Sequence, residues 1–321
     1  MTKPKGFIPL SNIIVVNCRF NLVELLAKKV GLGKGFELEL PSSYDELKKN
    51  AEKTIAESIR KYPKASKFWS IVKDDPEVNA CWDIADFIAV AKLKYNDHGE
   101  IHAKVVAANA LKMLDLLLDS GVFPDVMEER AGDDDDEHLI VLAGGLLHDI
   151  GNQVHRELHP LHSVYLAIPI LNRLLSNIYE DKEIMYEVRG HILHTIYAHG
   201  ADVKDLTIEA SLIGIADGTD MTKGRGRLAF DSGNINIHTV SALSIEDVKI
   251  VRGSEKPIEI RIYMNNSAGI FQVQETLGKK ISGSPLEPYV DVIAITTPEG
   301  EDRDERIVRR ITISGRRFVP K

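Results

Sequence analysis

The sequence predicts an α+β protein in which a bundle of helices precedes a smaller unit that contains strands. Apolar side chains recur at helical spacing up to about residue 231, whereas short runs rich in Ile and Val follow. The charge changes at the same place, because residues 232–321 carry 13 basic and 12 acidic side chains, which leaves −9 of the overall −8 for the preceding residues. With 44% hydrophobic residues, the chain can build a substantial core.

Residues 1–95 are predicted to form a helical extension that packs on this core. Ser43 and Glu46 form a capping-box pattern, and a helical apolar face follows until Pro63. That face consists of Leu47, Ala51, Ile55 and Ile59. Asp75-Pro76 opens a further helix, whose apolar face consists of Trp82, Ala85, Phe87, Ala89 and Leu93.

Residues 96–231 are predicted to form the helical domain that carries the functional site. Helices are predicted at 101–118, 139–147, 162–179, 183–198 and 207–217. The second of these is apolar almost all round, which is typical of a helix buried in the middle of a bundle. The four aspartates at 133–136 predict a solvated surface loop, since adjacent like charges repel.

Residues 232–321 are predicted to form a small α/β domain. Strands are predicted at 248–251, 258–264, 290–297 and 307–314, with a helix at 268–279. This strand-helix-strand pattern resembles ferredoxin-like or ACT-type regulatory domains. Such a unit would bind an effector, pair with another subunit to form a homo-oligomer, or cover the helical domain.

Composition excludes several classes of function. A net charge of −8 disfavours binding to a long nucleic acid but leaves a small anionic ligand open. The two cysteines, Cys18 and Cys81, show no metal-ligand or CxxC spacing, which suits a reducing compartment. No run approaches about 18 apolar residues, and no signal-like apolar core follows the N-terminus, so we expect a soluble, cytoplasmic protein without a membrane partner.

Ten of the 11 histidines fall between His98 and His199, and this clustering predicts a metal site. His148 and Asp149 follow a buried apolar helix that Gly151 can end. A buried carboxylate needs a strong partner, so Asp149 is a candidate ligand. Asp217 repeats the pattern in another apolar helix, where Gly214 permits close approach of a neighbouring helix.

Three segments in order resemble the HD-domain superfamily, whose members are helical metal-dependent phosphohydrolases. The segments are HGEIHAKVVAANAL, LAGGLLHDIG and ASLIGIADGTD, and they cover about residues 98–227 with their surroundings. The wider arrangement also resembles uncharacterised predicted HD hydrolases of archaea. Two further segments, HPLHSVYLA and HILHTIYAHG, resemble the two-metal branch, which includes bacterial diadenosine-tetraphosphate hydrolases and HD-GYP phosphodiesterases.

The resemblance implies two divalent ions, of Mn, Fe, Co, Ni or Zn. One ion would be held by His102, His148, Asp149 and Asp217, with Asp149 bridging to a second ion held by His162 and His194. The GYP motif is absent, and Asn152 stands where many relatives place a phosphate-contacting Lys.

The remaining histidines are assigned less directly. One member of each of the pairs His159/His162 and His191/His194 is expected to bind metal while the other supports a ligand or the substrate. A role in the site and a plain structural role stay open for His98 and His199. His138 and His238 are expected at the surface.

The expected substrate is a small phosphorylated, nucleotide-like molecule, which needs cations for its phosphates. Arg156 is the first candidate, with His155 beside it, and Lys223, Arg225 and Arg227 form a second set that is equally well read as a solvated basic turn. The leading hypothesis is hydrolysis of a phosphate ester or anhydride by a metal-activated water, with Asp149, Arg156, His155, Lys223 and Arg225 at the reaction centre. The alternatives are a di-iron oxygenase of the same superfamily and a nucleotide-sensing module without turnover.

Overall fold

The computed structural model describes residues 28–31, 37–40, 42–221, 241–296, 310–314 and 317–320, with side chains at 45–221 and 241–296. It confirms the α+β class, because helices make up the body and the strands at the C-terminal end form a sheet. No helix in these ranges has the length and apolar composition needed to cross a bilayer.

The N-terminal part is helical after a short antiparallel hairpin. Strands β1 (Lys28–Gly31) and β2 (Glu37–Leu40) pair with each other and precede helices α1 (Ser42–Ser58), α2 (Pro63–Val72) and α3 (Pro76–Asp86). The sequence predicted neither the hairpin nor α2. Helix α1 ends at Ser58, before Pro63. Pro63 begins α2 instead, because its missing N–H costs no hydrogen bond in the first turn of a helix.

Two helices at the centre of the molecule pack unusually closely. Helix α4 (Glu100–Leu118) is followed by the short α5 (Asp125–Glu128) and by α6 (Asp134–Leu147). A Cβ added to Gly145 of α6 would lie 2.6 Å from Cα of Ala107 in α4, so only glycine allows this approach. The contact brings the first turn of α4, which contains His102, next to the end of α6, which His148 follows.

Three further helices belong to the described part of the helical body. They are α7 (His159–Leu175), α8 (Lys182–Ala198) and α9 (Ile208–Thr219), and a 3₁₀ turn, Ile150–Gln153, joins the region of α6 to that of α7. A Cβ on Gly151 would lie 2.1 Å from the backbone oxygen of His159, so glycine lets the start of α7 lie against the end of α6. The expected freedom at Gly214 is also used, because its Cβ position lies 3.3 Å from the backbone oxygen of His199.

The acidic run at 133–136 is not the solvated loop that the sequence suggested. Asp133 caps α6 through a capping box with Asp136, and the three following aspartates lie in the first turn of the helix, where the helix dipole favours them. Asp135 accepts the backbone N–H groups of Lys64 and Ala65 at the start of α2. The run therefore ties two helices together.

In the described part of the chain, the C-terminal sheet has five strands in sequential order. They are β3 (Ile245–Arg252), β4 (Ile258–Met264), β5 (Val290–Thr296), β6 (Arg310–Ser314) and β7 (Arg317–Pro320). All neighbouring pairs are antiparallel except β4 and β5, which are parallel and adjacent. The predicted ferredoxin-like arrangement is not found, because a split β-α-β unit would place another strand between these two.

A helical segment connects β4 to β5, and we call it the crossover helix. It consists of α10 (Gly269–Gln272), a π-helical stretch (Val273–Gly278) and α11 (Lys279–Ile281). A Cβ on Gly218 of α9 would lie 3.2 Å from Cδ1 of Leu277, so the crossover helix packs closely on α9. Apolar residues of the sheet and of the helical body belong to one continuous core.

Candidate metal centre

Five helical elements bring histidines and aspartates together in the middle of the helical body. His102 lies in the first turn of α4, and His148 and Asp149 lie just after α6. The other members of the cluster come from the ends or last turns of three helices: His159 from α7, His199 from α8 and Asp217 from α9.

Three of these residues, His102, His148 and Asp217, form one group with Oδ2 of Asp149. His102 Nε2 lies 3.2 Å from His148 Nε2, 3.2 Å from Asp217 Oδ1 and 3.4 Å from Asp149 Oδ2. His148 Nε2 lies 3.7 Å from the same Asp149 oxygen. The sequence predicted these four residues as one group, and the structure brings all four together.

A second group surrounds the other oxygen of Asp149. His159 Nε2 lies 3.2 Å from Asp149 Oδ1, and His199 Nε2 lies 3.7 Å from it. The two Nε2 atoms lie 3.2 Å apart. Asp149 therefore faces one group with each oxygen, which is the arrangement expected of a bridging carboxylate.

The hydrogen bonds of the ring Nδ1 atoms determine which nitrogen of each histidine carries the proton. His148 Nδ1 donates to the Gly145 carbonyl, His159 Nδ1 to the Arg156 carbonyl, and His199 Nδ1 to the Ile196 carbonyl, at 2.9, 3.0 and 2.6 Å. His102 Nδ1 donates to Asp220 Oδ2 at 2.6 Å. Carbonyls and carboxylates only accept, so each neutral ring must carry its proton on Nδ1 and present a bare lone pair at Nε2.

It follows that the centre consists of acceptors facing acceptors. His102 and His148 present lone pairs to each other across 3.2 Å, and so do His159 and His199, with carboxylate oxygens beside both pairs. Such a set is repulsive unless cations lie between its members. Neutral imidazoles with carboxylates and oriented Nδ1–H groups are typical divalent metal ligands, so the residues fit the metal that the resemblance implies. Groups that could hold an ion include His102, His148 and Asp217, and also His148, Asp149 and His199.

The electrostatics agree with neutral rings and charged carboxylates. Burial lowers the pKa of His148 to about 4 and lowers the pKa of His199 well below its usual value. Burial acts to raise the pKa of Asp149, but His148 and His98 outweigh it and hold this pKa well below normal. For Asp217 the opposing effect of burial is outweighed chiefly by Lys280, so its pKa is also well below normal.

His98 and Asp220 hold members of the cluster in place. His98 Nδ1 lies 2.6 Å from Asp149 Oδ2, and its ring meets that of His102 edge to face. Both His98 and Asp220 are buried. His98 is also within ligand distance of His102 and Asp149, so it can either orient the bridging carboxylate or bind metal itself.

A cavity of about 940 Å³ opens onto the cluster. Its walls include the bridging Asp149, the cations Arg156 and Lys280, and the aromatic side chains of Tyr95 and Tyr197. Arg156 Nη1 lies 3.9 Å from Asp149 Oδ1 and donates to Asn152 Oδ1 at 3.1 Å. The cluster can thus be reached by a ligand of nucleotide size.

His162 and His194 do not join the cluster. His162 Nδ1 and His194 Nε2 are buried and have no hydrogen-bond partner among the described residues. Burial lowers the pKa of His194, whose nearest charged neighbours include Glu209 rather than Asp149. In the pair His159/His162 the ring that reaches Asp149 is that of His159 and not that of His162, which the resemblance assigned to the metal. In place of the pair His191/His194, the second ring at Asp149 is that of His199.

The other predicted residues divide into three groups. Arg156 lines the cavity, whereas His155 is exposed, and its Nδ1 accepts the Glu157 N–H at 3.0 Å. Lys223, Arg225, Arg227 and His238 lie outside the described residues. His138 is not at the surface: it is fully buried and stacks on Tyr62 with ring centroids 3.6 Å apart.

Sequence reasoning missed Asp220 and Lys280. Asp220 stands three residues after Asp217, at the end of the same helix, and this spacing could have indicated a supporting carboxylate. Lys280 lies in the C-terminal unit, 63 residues from the aspartate that it contacts, and no local pattern marks it.

The chain has a clear relative among known proteins. It is 45% identical over 237 residues to a protein of Methanocaldococcus jannaschii that carries the name Uncharacterized protein MJ1020. The match spans 74% of this chain and 89% of that protein. No protein-family model matches the chain, and no solved structure matches it. At this identity and coverage, the chain belongs to the same protein family as the Methanocaldococcus jannaschii protein.

Proposed function

We propose that this protein is a metal-dependent phosphohydrolase of the HD-domain type, with two divalent ions and a nucleotide-like phosphate substrate. The observation that carries the proposal is the pair of opposed lone-pair sets on either side of Asp149. His102, His148 and Asp217 would hold one ion, and His159 and His199 the other, with one Asp149 oxygen for each. The resemblance of the three HD-type segments supports the same assignment.

Two divalent ions in such a centre supply a nucleophilic water near neutral pH and neutralise charge on phosphoryl oxygens. The chain's own residues provide the rest. Asp220 and three backbone carbonyls fix the orientation and the tautomer of the rings through Nδ1. Arg156, whose guanidinium lies beside Asp149, binds the phosphate from the cavity side.

The cavity suits a substrate with an organic moiety as well as a phosphate. Tyr95 and Tyr197 line it and expose about two-fifths of their surface, 39% and 42%. Their ring faces can stack on a planar base, while the cations lie nearer to the cluster. This combination supports a nucleotide-like substrate over inorganic phosphate compounds.

The test is hydrolysis by the purified full-length protein after metal removal and reloading with Mn, Fe, Co, Ni or Zn. The panel comprises mononucleotides, cyclic nucleotides, dinucleoside polyphosphates and aryl phosphates. We expect phosphate release that chelation abolishes and that metal restores. Asp149→Asn should lose this activity, because an amide cannot bridge two cations. Asp74→Asn is the matched control, since Asp74 is exposed and lies outside the cavity.

Two outcomes would overturn the proposal. The first is the absence of hydrolysis over the whole panel with two ions bound. If a nucleotide nevertheless binds tightly and stays intact, the protein is a sensing module. The second is substrate-dependent oxygen uptake by the iron-loaded protein without phosphate release, which would identify a di-iron oxygenase.

A further inference from the structure

The C-terminal unit places one lysine at the edge of the metal centre. Lys280 lies in the crossover helix, and its Nζ donates to Asp217 Oδ2 and, at 3.1 Å, to the backbone oxygen of His199. Its side chain is only 11% exposed. Gly218 allows this position, because its Cβ would lie 3.3 Å from Cα of Leu277 and 3.4 Å from Cδ of Lys280.

The contact leaves the ligand function of Asp217 intact. Lys280 uses Oδ2 of the carboxylate, whereas Oδ1 faces His102 Nε2 at 3.2 Å. Asp217 can therefore hold a cation and the ammonium group at the same time, one with each oxygen. Lys280 does not need to leave when an ion binds.

Lys280 also has a donor to offer to a ligand. An ammonium group has three donors, and the described residues provide two acceptors, Asp217 and His199. Lys280 lines the cavity together with Arg156. Arg156 lies beside Asp149 and Lys280 beside Asp217, so each of the two carboxylates has a cation of the cavity wall next to it.

The neighbouring Lys279 shows what an ordinary lysine of this helix does. Its side chain is 57% exposed and pairs with Glu275 one turn earlier. Lys280, in contrast, is drawn out of solvent between a carboxylate and a carbonyl at the wall of the cavity. Removing an ammonium from water is costly, and a mere attachment of the crossover helix to α9 would not require it.

We propose that Lys280 binds a phosphoryl oxygen of the substrate, so that the C-terminal unit completes the phosphate-binding site of the helical body. This inference rests on the proposed function, because it assumes that the ligand of the centre is a phosphate. It also accounts for Asn152, since the cation that many HD proteins carry at that position is supplied here from another part of the chain.

The test measures binding of inorganic phosphate to metal-loaded, full-length protein by calorimetry. Lys280→Met keeps the length of the side chain and removes its charge, and Lys279→Met is the matched control. A hydrogen bond to a charged group is worth about 1.5–3 kcal/mol, so we expect phosphate binding of Lys280→Met to weaken by roughly 10- to 100-fold. Metal content should stay unchanged, Lys279→Met should bind as the wild type does, and Lys280→Arg should recover part of the affinity.

A purely structural Lys280 would give a different result. Phosphate affinity of Lys280→Met within twofold of the wild type would overturn the inference, whatever the change in melting temperature. Loss of metal from this variant would also overturn it, because Lys280 would then act through Asp217. Absence of phosphate binding by the wild type would do the same.

A second measurement uses the wild-type protein, so its result does not depend on whether a variant folds. Reductive methylation of lysines, followed by mass spectrometry, gives the modification rate at each position. With metal held constant, inorganic phosphate should slow modification of Lys280 severalfold and leave Lys279 unchanged. Equal rates at Lys280 with and without phosphate would contradict the proposal.

The tests also separate this inference from the proposed function. If no substrate is hydrolysed but phosphate binding still depends on Lys280, the inference stands and the hydrolase proposal fails. If a substrate is hydrolysed and Lys280→Met leaves its KM and the phosphate affinity unchanged, the hydrolase proposal stands and the inference fails.

Discussion

His159 and His162 offer a sharp test of the centre, because they lie in the same helix and only His159 reaches Asp149. At a free-metal concentration about 100 times the dissociation constant, one bound ion stabilises the folded state by about 2.7 kcal/mol. For a chain of this size that is a rise of about 5 °C in melting temperature, at roughly 2 °C per kcal/mol. Two ions should therefore give the wild type a rise of about 10 °C.

We expect His159→Ala to retain one ion, held by His102, His148 and Asp217, and to show half of the metal-induced rise. His162→Ala should retain both ions and the full rise. The assay compares each variant with and without chelator, so that direct effects of the substitution on stability cancel, and metal analysis counts the ions. Loss of an ion from His162→Ala together with two ions in His159→Ala would refute our assignment of the second group.

Three further predictions follow from the same geometry. Gly145→Ala should lower the free energy of unfolding by about 1–3 kcal/mol in urea titrations, because the added methyl group meets the α4 backbone, whereas Gly190→Ala, with nothing within 4 Å, should not destabilise the protein; equal stabilities would contradict the close packing. In metal-free protein, the unfolded state protonates His148 below pH 6.5 but the folded state only below about pH 4, so the unfolding free energy should fall by about 3 kcal/mol as the pH drops through this window, and His148→Gln should flatten the fall; an unchanged slope in that variant would exclude His148 as its source. Asp220→Asn should weaken metal binding about 10- to 100-fold in chelator competition, because the carboxylate that orients His102 is lost; wild-type affinity would show that this hydrogen bond is dispensable.

The sequence was informative where function and local pattern coincide. His102, His148, Asp149 and Asp217 each lie in an apolar helical stretch, where a charged or basic residue needs a partner, and the structure brings them together. The strands at the C-terminal end were predictable for a similar reason, since runs of Ile and Val with turn residues between them are typical of a sheet.

The choice within each histidine pair could not be made from spacing. His159 and His162 are three residues apart, and the ring that reaches Asp149 is decided by where α7 begins, which depends on the close contact at Gly151. His199 was hard to assign because it follows the last turn of α8, where a small error in the helix boundary changes the direction of the side chain. Lys280 depends on the packing of the crossover helix against α9, which only the tertiary structure specifies.

The candidate ligands run from His102 to Asp217 and lie on five different helical elements. A complete ligand group would therefore form only after distant segments of the chain have come together, and an ion would bind tightly only then. Metal binding would then report completed tertiary folding, because only chains that have formed their long-range contacts would bind the ions.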